Sequence, residues 1–228
     1  MKTQISDVFF DLDHTLWDFE KNSALAFKTI FEEEKLPVDL DAFLLHYVPI
    51  NVKYWEMYRK DEITQQELRL NRIKDTFALL DYSTTDDELM RLSDKYIEYL
   101  PKYNHLFDGA ISILEYLKPK YNLHIITNGF HTVQENKLAN SNIRHYFKTV
   151  TNSENAGVKK PNPVIYDYAL KLANANKENS MMIGDCIESD VLGALNSGLD
   201  AILFNECRAE VSHDVKQITT LIELKNYL

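Results

Sequence analysis

The chain has 228 residues, 45% of them hydrophobic and 26% charged, a composition that suits a globular protein and excludes a disordered one. Its formal net charge of −10 excludes a sequence-independent grip on a nucleic acid polymer, so an anionic ligand would have to be held by a metal ion or a few placed cations. The only cysteines are Cys186 and Cys207, with no CxxC pair, which argues against a structural zinc site or a disulfide scaffold.

The first residues, Met1–Gln4, run straight into a short apolar segment that lacks the length of a signal-peptide core. No apolar stretch reaches the ~20 residues of a membrane helix. A soluble, cytoplasmic protein with no membrane association and no protein partner is expected.

In chain order, Val8–Phe10 is the first of five short apolar runs, the others being Leu123–Ile126, Thr149–Val150, Met181–Ile183 and Ala201–Phe204. Each is brief and not strictly alternating, as in strands buried on both faces. The stretch 17–100 differs: it is rich in Glu, Lys, Leu, Phe and Tyr at helical spacing. Thr64-x-x-Glu67 and Thr85-x-x-Glu88 read as capping boxes, and Pro37, Pro49 and Pro101 as punctuation. Its aromatic residues Tyr47, Tyr54, Trp55 and Tyr58 read as helix-packing material, and Glu32–Glu34 as solvated surface.

Helical periodicity returns at Ala110–Leu117, Thr132–Asn140, Val164–Ala173 and Ser189–Asn196, with Asn162-Pro163 as an N-cap followed by proline at the first helical position. Strand–helix–strand repetition at this spacing predicts an α/β fold, a doubly wound parallel sheet of Rossmann-like type. The core is expected to span 1–16 and 101–228, with a helical insertion over 17–100.

In open α/β sheets, ligands bind beyond the carboxyl ends of the strands. There the sequence sets Asp11-Leu12-Asp13-His14-Thr15, then Thr127-Asn128-Gly129, then Gly157-Val158-Lys159-Lys160-Pro161, then Gly184-Asp185 with Asp190 five residues on. Asp11, the Asp13 carbonyl and Asp185 supply hard oxygen ligands suited to one Mg²⁺ ion. That ion and Lys160 would offset the repulsion between an anionic nucleophile and an anionic phosphate. Thr127 can donate to a phosphoryl oxygen, and turn amides at Leu12–Asp13 and Asn128–Gly129 can complete a phosphate cradle. Taken alone, Asp11 and Asp13 could form a surface turn, Thr127 a strand-end cap, and Asp190 a cap on the helix that follows.

These motifs together, Asp11-x-Asp13-x-Thr15, Thr127, Lys160-Pro161 and Gly184-Asp185-x4-Asp190, resemble the haloacid dehalogenase superfamily, and the insert resembles that superfamily's helical cap. The resemblance implies Asp11 as nucleophile and metal ligand. It implies Asp13 as general acid, then base, and as a carbonyl ligand. Thr127, Asn128 and Lys160 would bind the phosphoryl group, and Asp185 the metal. Asp190 would position Lys160 or metal-bound water. Between the two adjacent lysines, Lys160 matches the family pattern because it directly precedes Pro161. A cap of this kind must open and close, with hinges expected near Trp17–Asn22 and Leu100–Phe107.

The second aspartate argues against halide displacement, which needs no protonated leaving group. A phosphosugar mutase would keep both aspartates. A phospho-aspartate receiver domain is disfavoured by the insert and the Asp-x-Asp spacing. The stretches DLDHTLWDF, TNGFHTVQ and SENAGVKKPNPVIY are similar to the pyrimidine 5′-nucleotidase branch. They imply a small phosphorylated metabolite as substrate, a nucleoside monophosphate ahead of phosphoglycolate or a sugar phosphate. Trp17, Phe19 and Trp55 are then the expected contacts of the base.

Overall fold

A computed structural model describes residues 4–228. Met1–Thr3, part of the segment read above as lacking a signal-peptide core, lie outside the described residues. The chain divides into two compact units: one runs through Phe19 and resumes over Asn104–Leu228, and the other is Glu20–Tyr103.

The first unit is built on a six-stranded, all-parallel sheet in the order β3-β2-β1-β4-β5-β6. Its strands are β1 Asp7–Phe10, β2 Asn122–Thr127, β3 Thr149–Asn152, β4 Ser180–Gly184, β5 Asp200–Phe204 and β6 Gln217–Ile218. The five apolar runs are therefore strands, β1 and β5 longer than the apolar centre by one residue and β2, β3 and β4 by two. The unanticipated β6 is two residues long and pairs Leu203 with Gln217 and Phe204 with Ile218 at the edge. So short a strand carries no periodicity of its own.

Successive strand residues face opposite sides of the sheet. On one side Phe9, Ile126, Met182, Ala201 and Leu203 pack against Ile165, Tyr166 and Ala169 from α8 (Pro163–Ala173) and Ala194 from α9 (Gly193–Asn196). Asn162 accepts from Val164 N, and Pro163 opens α8. The expected helix Ser189–Asn196 is not uniform: Ile187–Leu192 is a π-helical turn, and only Gly193–Asn196 is α-helical. Asp190 N and Val191 N both donate to the Cys186 carbonyl. This widened turn carries one more residue than an α-turn, a feature that hydrophobic spacing does not encode.

The second unit contains α1 (Phe19–Glu34, entered from the first unit), α2 (Leu40–Arg59), α3 (Gln65–Ala78) and α4 (Asp86–Tyr99). Its centre is aromatic: the Phe27 ring lies 4.8 Å from Phe43 and 4.5 Å from Tyr96, and Phe43 lies 4.8 Å from Phe77. Arg72, also buried, donates to Asn51 Oδ1 at 2.7 Å.

Three sequence expectations need correction here. Thr64 and Glu67 form a reciprocal capping box, whereas at Thr85 only half of one exists. Glu88 N donates to Thr85 Oγ1, but the Glu88 carboxylate accepts from Tyr82 instead. Pro49 does not interrupt the chain but lies inside α2. It sits on the exposed side, where the carbonyl it leaves unpaired can meet water. Glu33 and Glu34 are more than solvated surface, since Lys95 Nζ reaches them at 2.8 and 2.7 Å.

Candidate active site

The strand order reverses beside β1, whose neighbours are β2 and β4. Such a switch point opens a crevice at the carboxyl ends of the strands. Asp11 follows β1 directly, its N–H still donating to the Ile183 carbonyl at 2.9 Å. Beyond it the chain folds back on itself. Leu16 N and Trp17 N both donate to the Leu12 carbonyl, and His14 takes a left-handed φ of 60°.

Lys160 reaches this crevice from the loop after β3. Its side chain is 2% exposed, with Nζ 2.6 Å from Asp11 Oδ1, 2.7 Å from Asp190 Oδ1 and 2.7 Å from the Ile126 carbonyl. The Lys160-Pro161 peptide is cis. Asp190 is fixed on its other side, Oδ2 accepting from Cys186 N at 3.0 Å, so the π-turn directs it inward. Asp185 Oδ1 accepts from Thr15 Oγ1 at 3.3 Å.

Asp11, Asp185 and Asp190 each offer a carboxylate oxygen, all within 4.8 Å of one another. Burial pushes the Asp11 carboxyl well above its ordinary range; Lys160 opposes this, and Asp190 and Asp185 add to it. Burial, then Asp190, raises Asp185 to about 7. For Lys160, burial alone would lower the pKa, but Asp11 and Asp190 outweigh it and the group is raised. One ammonium, paired with Asp11 and Asp190, thus faces a cluster of three carboxylates, and full ionisation leaves two negative charges uncompensated. An all-oxygen donor set with that deficit fits a hard divalent cation.

The expected phosphate-binding residues are nearby, tied into local hydrogen bonds. Thr127 Oγ1 accepts from Gln134 Nε2 at 2.7 Å and from Gly129 N at 3.1 Å, so the Gly129 amide expected in a phosphate cradle is turned onto Thr127. Asn128 is also present, but its side chain is paired with the main chain of Lys160: Oδ1 accepts from Lys160 N at 2.7 Å, and Nδ2 donates to Lys160 O at 3.0 Å. That side chain braces the lysine loop.

Asp13 is held by two residues on α6 (His131–Asn140): Gln134, which closes the TNGFHTVQ stretch, and Lys137, which the sequence reading did not single out. Gln134 Nε2 donates to Asp13 Oδ2 at 3.0 Å and Lys137 Nζ to Asp13 Oδ1 at 2.6 Å. A usable signal exists in the spacing: Gln134 and Lys137 share the buried face of α6 with Val133 and Leu138, and long polar side chains on an apolar face call for a partner.

Trp17 and Phe19 are buried, not open to a ligand. Their rings face Lys137, and Trp17 Nε1 donates to Ser141 Oγ at 3.2 Å. This corrects the expectation that they present a stacking surface. Trp55 lies on α2 in the other unit, half-buried, with its ring edge-on to Tyr58.

Residues 8–204 match the family model for haloacid dehalogenase-like hydrolases. The chain belongs to that family. Among curated proteins it is 32% identical over 200 residues to a pyrimidine 5′-nucleotidase of Streptococcus pneumoniae, covering 87% of this chain and 83% of that one. It is likewise 32% identical over 234 residues to a glyceraldehyde 3-phosphate phosphatase of Methanothermobacter thermautotrophicus, covering 97% and 98%. Among solved structures, the HAD-hydrolase YfnB of Bacillus subtilis is 27% identical with a TM-score of 0.90 over 99% of both chains. That structure is bound to magnesium and reveals interdomain movement. No helix among the described residues is long and apolar enough to cross a membrane.

Proposed function

We propose that this hydrolase is a Mg²⁺-dependent phosphatase that cleaves a small phosphomonoester through an aspartyl-phosphate on Asp11, with a nucleoside 5′-monophosphate as substrate. The observation that carries this reading is the buried Asp11–Lys160–Asp190 constellation, with Lys160 Nζ 2.6 Å from Asp11 and 2.7 Å from Asp190, and with Asp13 two residues beyond Asp11 in the chain. Asp11, Asp185 and the Asp13 carbonyl would hold the metal. When bound, the metal neutralises charge on the phosphoryl oxygens.

The residues of the chain divide the remaining work. Lys160, anchored by Asp190, keeps a positive charge beside Asp11 so that an anionic phosphate can approach an anionic carboxylate. A carboxylate oxygen of Asp11 attacks phosphorus in line, forming a new P–O bond as the ester P–O bond breaks. Asp13 gives its proton to the departing alcohol oxygen. It then takes a proton from water, whose oxygen bonds phosphorus as the Asp11–phosphorus linkage breaks. Inorganic phosphate leaves and both aspartates are restored.

The nucleotide preference is supported by the pneumococcal relative. The archaeal relative favours a second reading, a small sugar phosphate such as a triose phosphate. Phosphate release from a panel of nucleoside monophosphates and sugar phosphates decides between them. Pyrimidine monophosphates in the lead support the first reading; a sugar phosphate in the lead replaces it with the second.

A further inference from the structure

Gln134 and Lys137 stand three residues apart on α6, both on its buried face. From there they take both oxygens of one carboxylate, Oδ2 of Asp13 at 3.0 Å and Oδ1 at 2.6 Å. Each carboxylate oxygen has a second lone pair, so Asp13 can carry a proton while both contacts persist. The same Gln134 amide donates its other hydrogen to Thr127 Oγ1, which also accepts from Gly129 N. With two bonds accepted, the Thr127 hydroxyl keeps its own hydrogen to donate.

The clamp is itself supported. Lys137 is 2% exposed, with Nζ 4.2 Å from the Trp17 ring centroid and 5.2 Å from that of Phe19. A desolvated ammonium over aromatic faces gains cation–π attraction. Trp17 is tied to Ser141, the residue that ends α6. At Gly129, a β-carbon would run into the Gln134 side chain, so the glycine makes room for the amide. Packing alone explains none of this, because burying an ammonium and an amide is costly where an apolar side chain would fill the same space.

We propose that Lys137 and Gln134 are positioning residues for Asp13, holding its carboxylate where it can protonate the leaving-group oxygen, while Gln134 also orients the Thr127 hydroxyl as a phosphoryl donor. The aromatic pair Trp17 and Phe19 serves this clamp by seating the Lys137 ammonium. The inference rests on the phosphatase reading, in which Asp13 passes a proton to the ester oxygen as its bond to phosphorus breaks.

Leaving-group chemistry separates positioning from mere structure. An alkoxide needs protonation as it departs, whereas p-nitrophenolate is stable as an anion and needs little. The test measures kcat/KM, which covers steps through loss of the alcohol, on uridine 5′-monophosphate, glycerol phosphate and p-nitrophenyl phosphate with Mg²⁺. The proteins are wild type, Lys137→Met, Gln134→Leu and Lys137→Arg, with Asp13→Asn as reference and the melting temperature followed for each.

Lys137→Met and Gln134→Leu are expected to lower kcat/KM on the alkyl ester that wild type turns over by about 10²-fold, and on the aryl ester by less than about fivefold. Asp13→Asn should show the same asymmetry, and Lys137→Arg should recover part of the loss. Equal losses on both ester types, or no loss on either, overturn the proposal while leaving the phosphatase reading intact. If Lys137→Met does not fold, the ester ratio of Gln134→Leu decides alone. Wild-type protein that releases phosphate from none of these esters takes down the phosphatase reading and this inference together.

Discussion

The Asp190 side chain occupies the space that a β-carbon on Gly184 would need. Gly184 ends β4 and Asp190 lies within the π-turn, and their close approach lets Asp190 reach Lys160 Nζ alongside Asp11. Gly184→Ala is therefore expected to push Asp190 outward and loosen Lys160. Displacing a catalytic cation by about 1 Å costs on the order of 10²-fold in kcat. Steady-state kinetics beside a melting curve checks this, and wild-type kcat in the folded variant contradicts it.

Removing the proposed nucleophile has a sharper outcome. Asp11→Asn should reduce phosphate release by at least about 10³-fold on every ester, because no covalent intermediate can form at that position. The variant should remain folded, since burial pushes the Asp11 carboxyl toward its neutral form, which the amide resembles. Chelation of divalent metal with EDTA should silence the wild type, and added Mg²⁺ should restore it. Activity that survives EDTA would remove the metal from the mechanism.

At the opposite end of β2, His124 stacks on Phe9 at 4.7 Å and approaches Asp7 Oδ1 at 3.3 Å. Burial lowers its pKa below the ordinary 6.5, with Asp7 opposing. Below about pH 6.5 the unfolded chain binds a proton at this position that the folded chain resists, so stability falls as pH drops through that value toward the folded pKa. Above it, the contribution is complete. Urea titrations at pH 7.5 and 5.5 should show a smaller pH difference for His124→Gln than for wild type; an unchanged difference would mean that other groups set the slope.

In the helical unit, Asn51 accepts a 2.7 Å hydrogen bond from the buried Arg72. Asn51→Leu leaves that guanidinium donor without its acceptor, at an expected cost of about 1.5–3 kcal/mol. Urea unfolding of the full chain measures it. A change smaller than about 0.5 kcal/mol would show that solvent or another group replaces the asparagine.

Much of this was legible in the sequence because the signals are local. Parallel strands buried on both faces write themselves as short apolar runs, and the Asn162-Pro163 start of α8 follows from one N-cap and one missing N–H. Asp11, Thr127 and Asp185 lie at strand ends, so the strands alone bring them together, and Lys160, on the longer loop after β3, is marked by the proline that follows it. What escaped depends on partners distant in sequence. Asn128 holds the Lys160 main chain 32 residues away, and Trp17 is buried through Ser141, 124 residues on. Lys137 does not stand out, because a polar residue on a helix reads as solvated until its buried face is known, and Gln134 enters only as the end of the TNGFHTVQ stretch. The π-turn at Ile187–Leu192 differs from an α-turn by a single residue, which hydrophobic spacing cannot resolve.

The chain leaves and re-enters the sheet unit through one narrow ribbon. Trp17 bridges antiparallel to Leu106, and Asp18 N donates to the His105 carbonyl at 3.1 Å. A segment whose two ends emerge side by side adds no strain to the strands it interrupts, whatever its length or content. Insertions, deletions or wholesale replacement of residues 20–103 can therefore accumulate without disturbing the register that aligns Asp11 with Lys160. An engineer could graft a foreign helical segment at the same two cut points and leave the strands of the sheet unit in place.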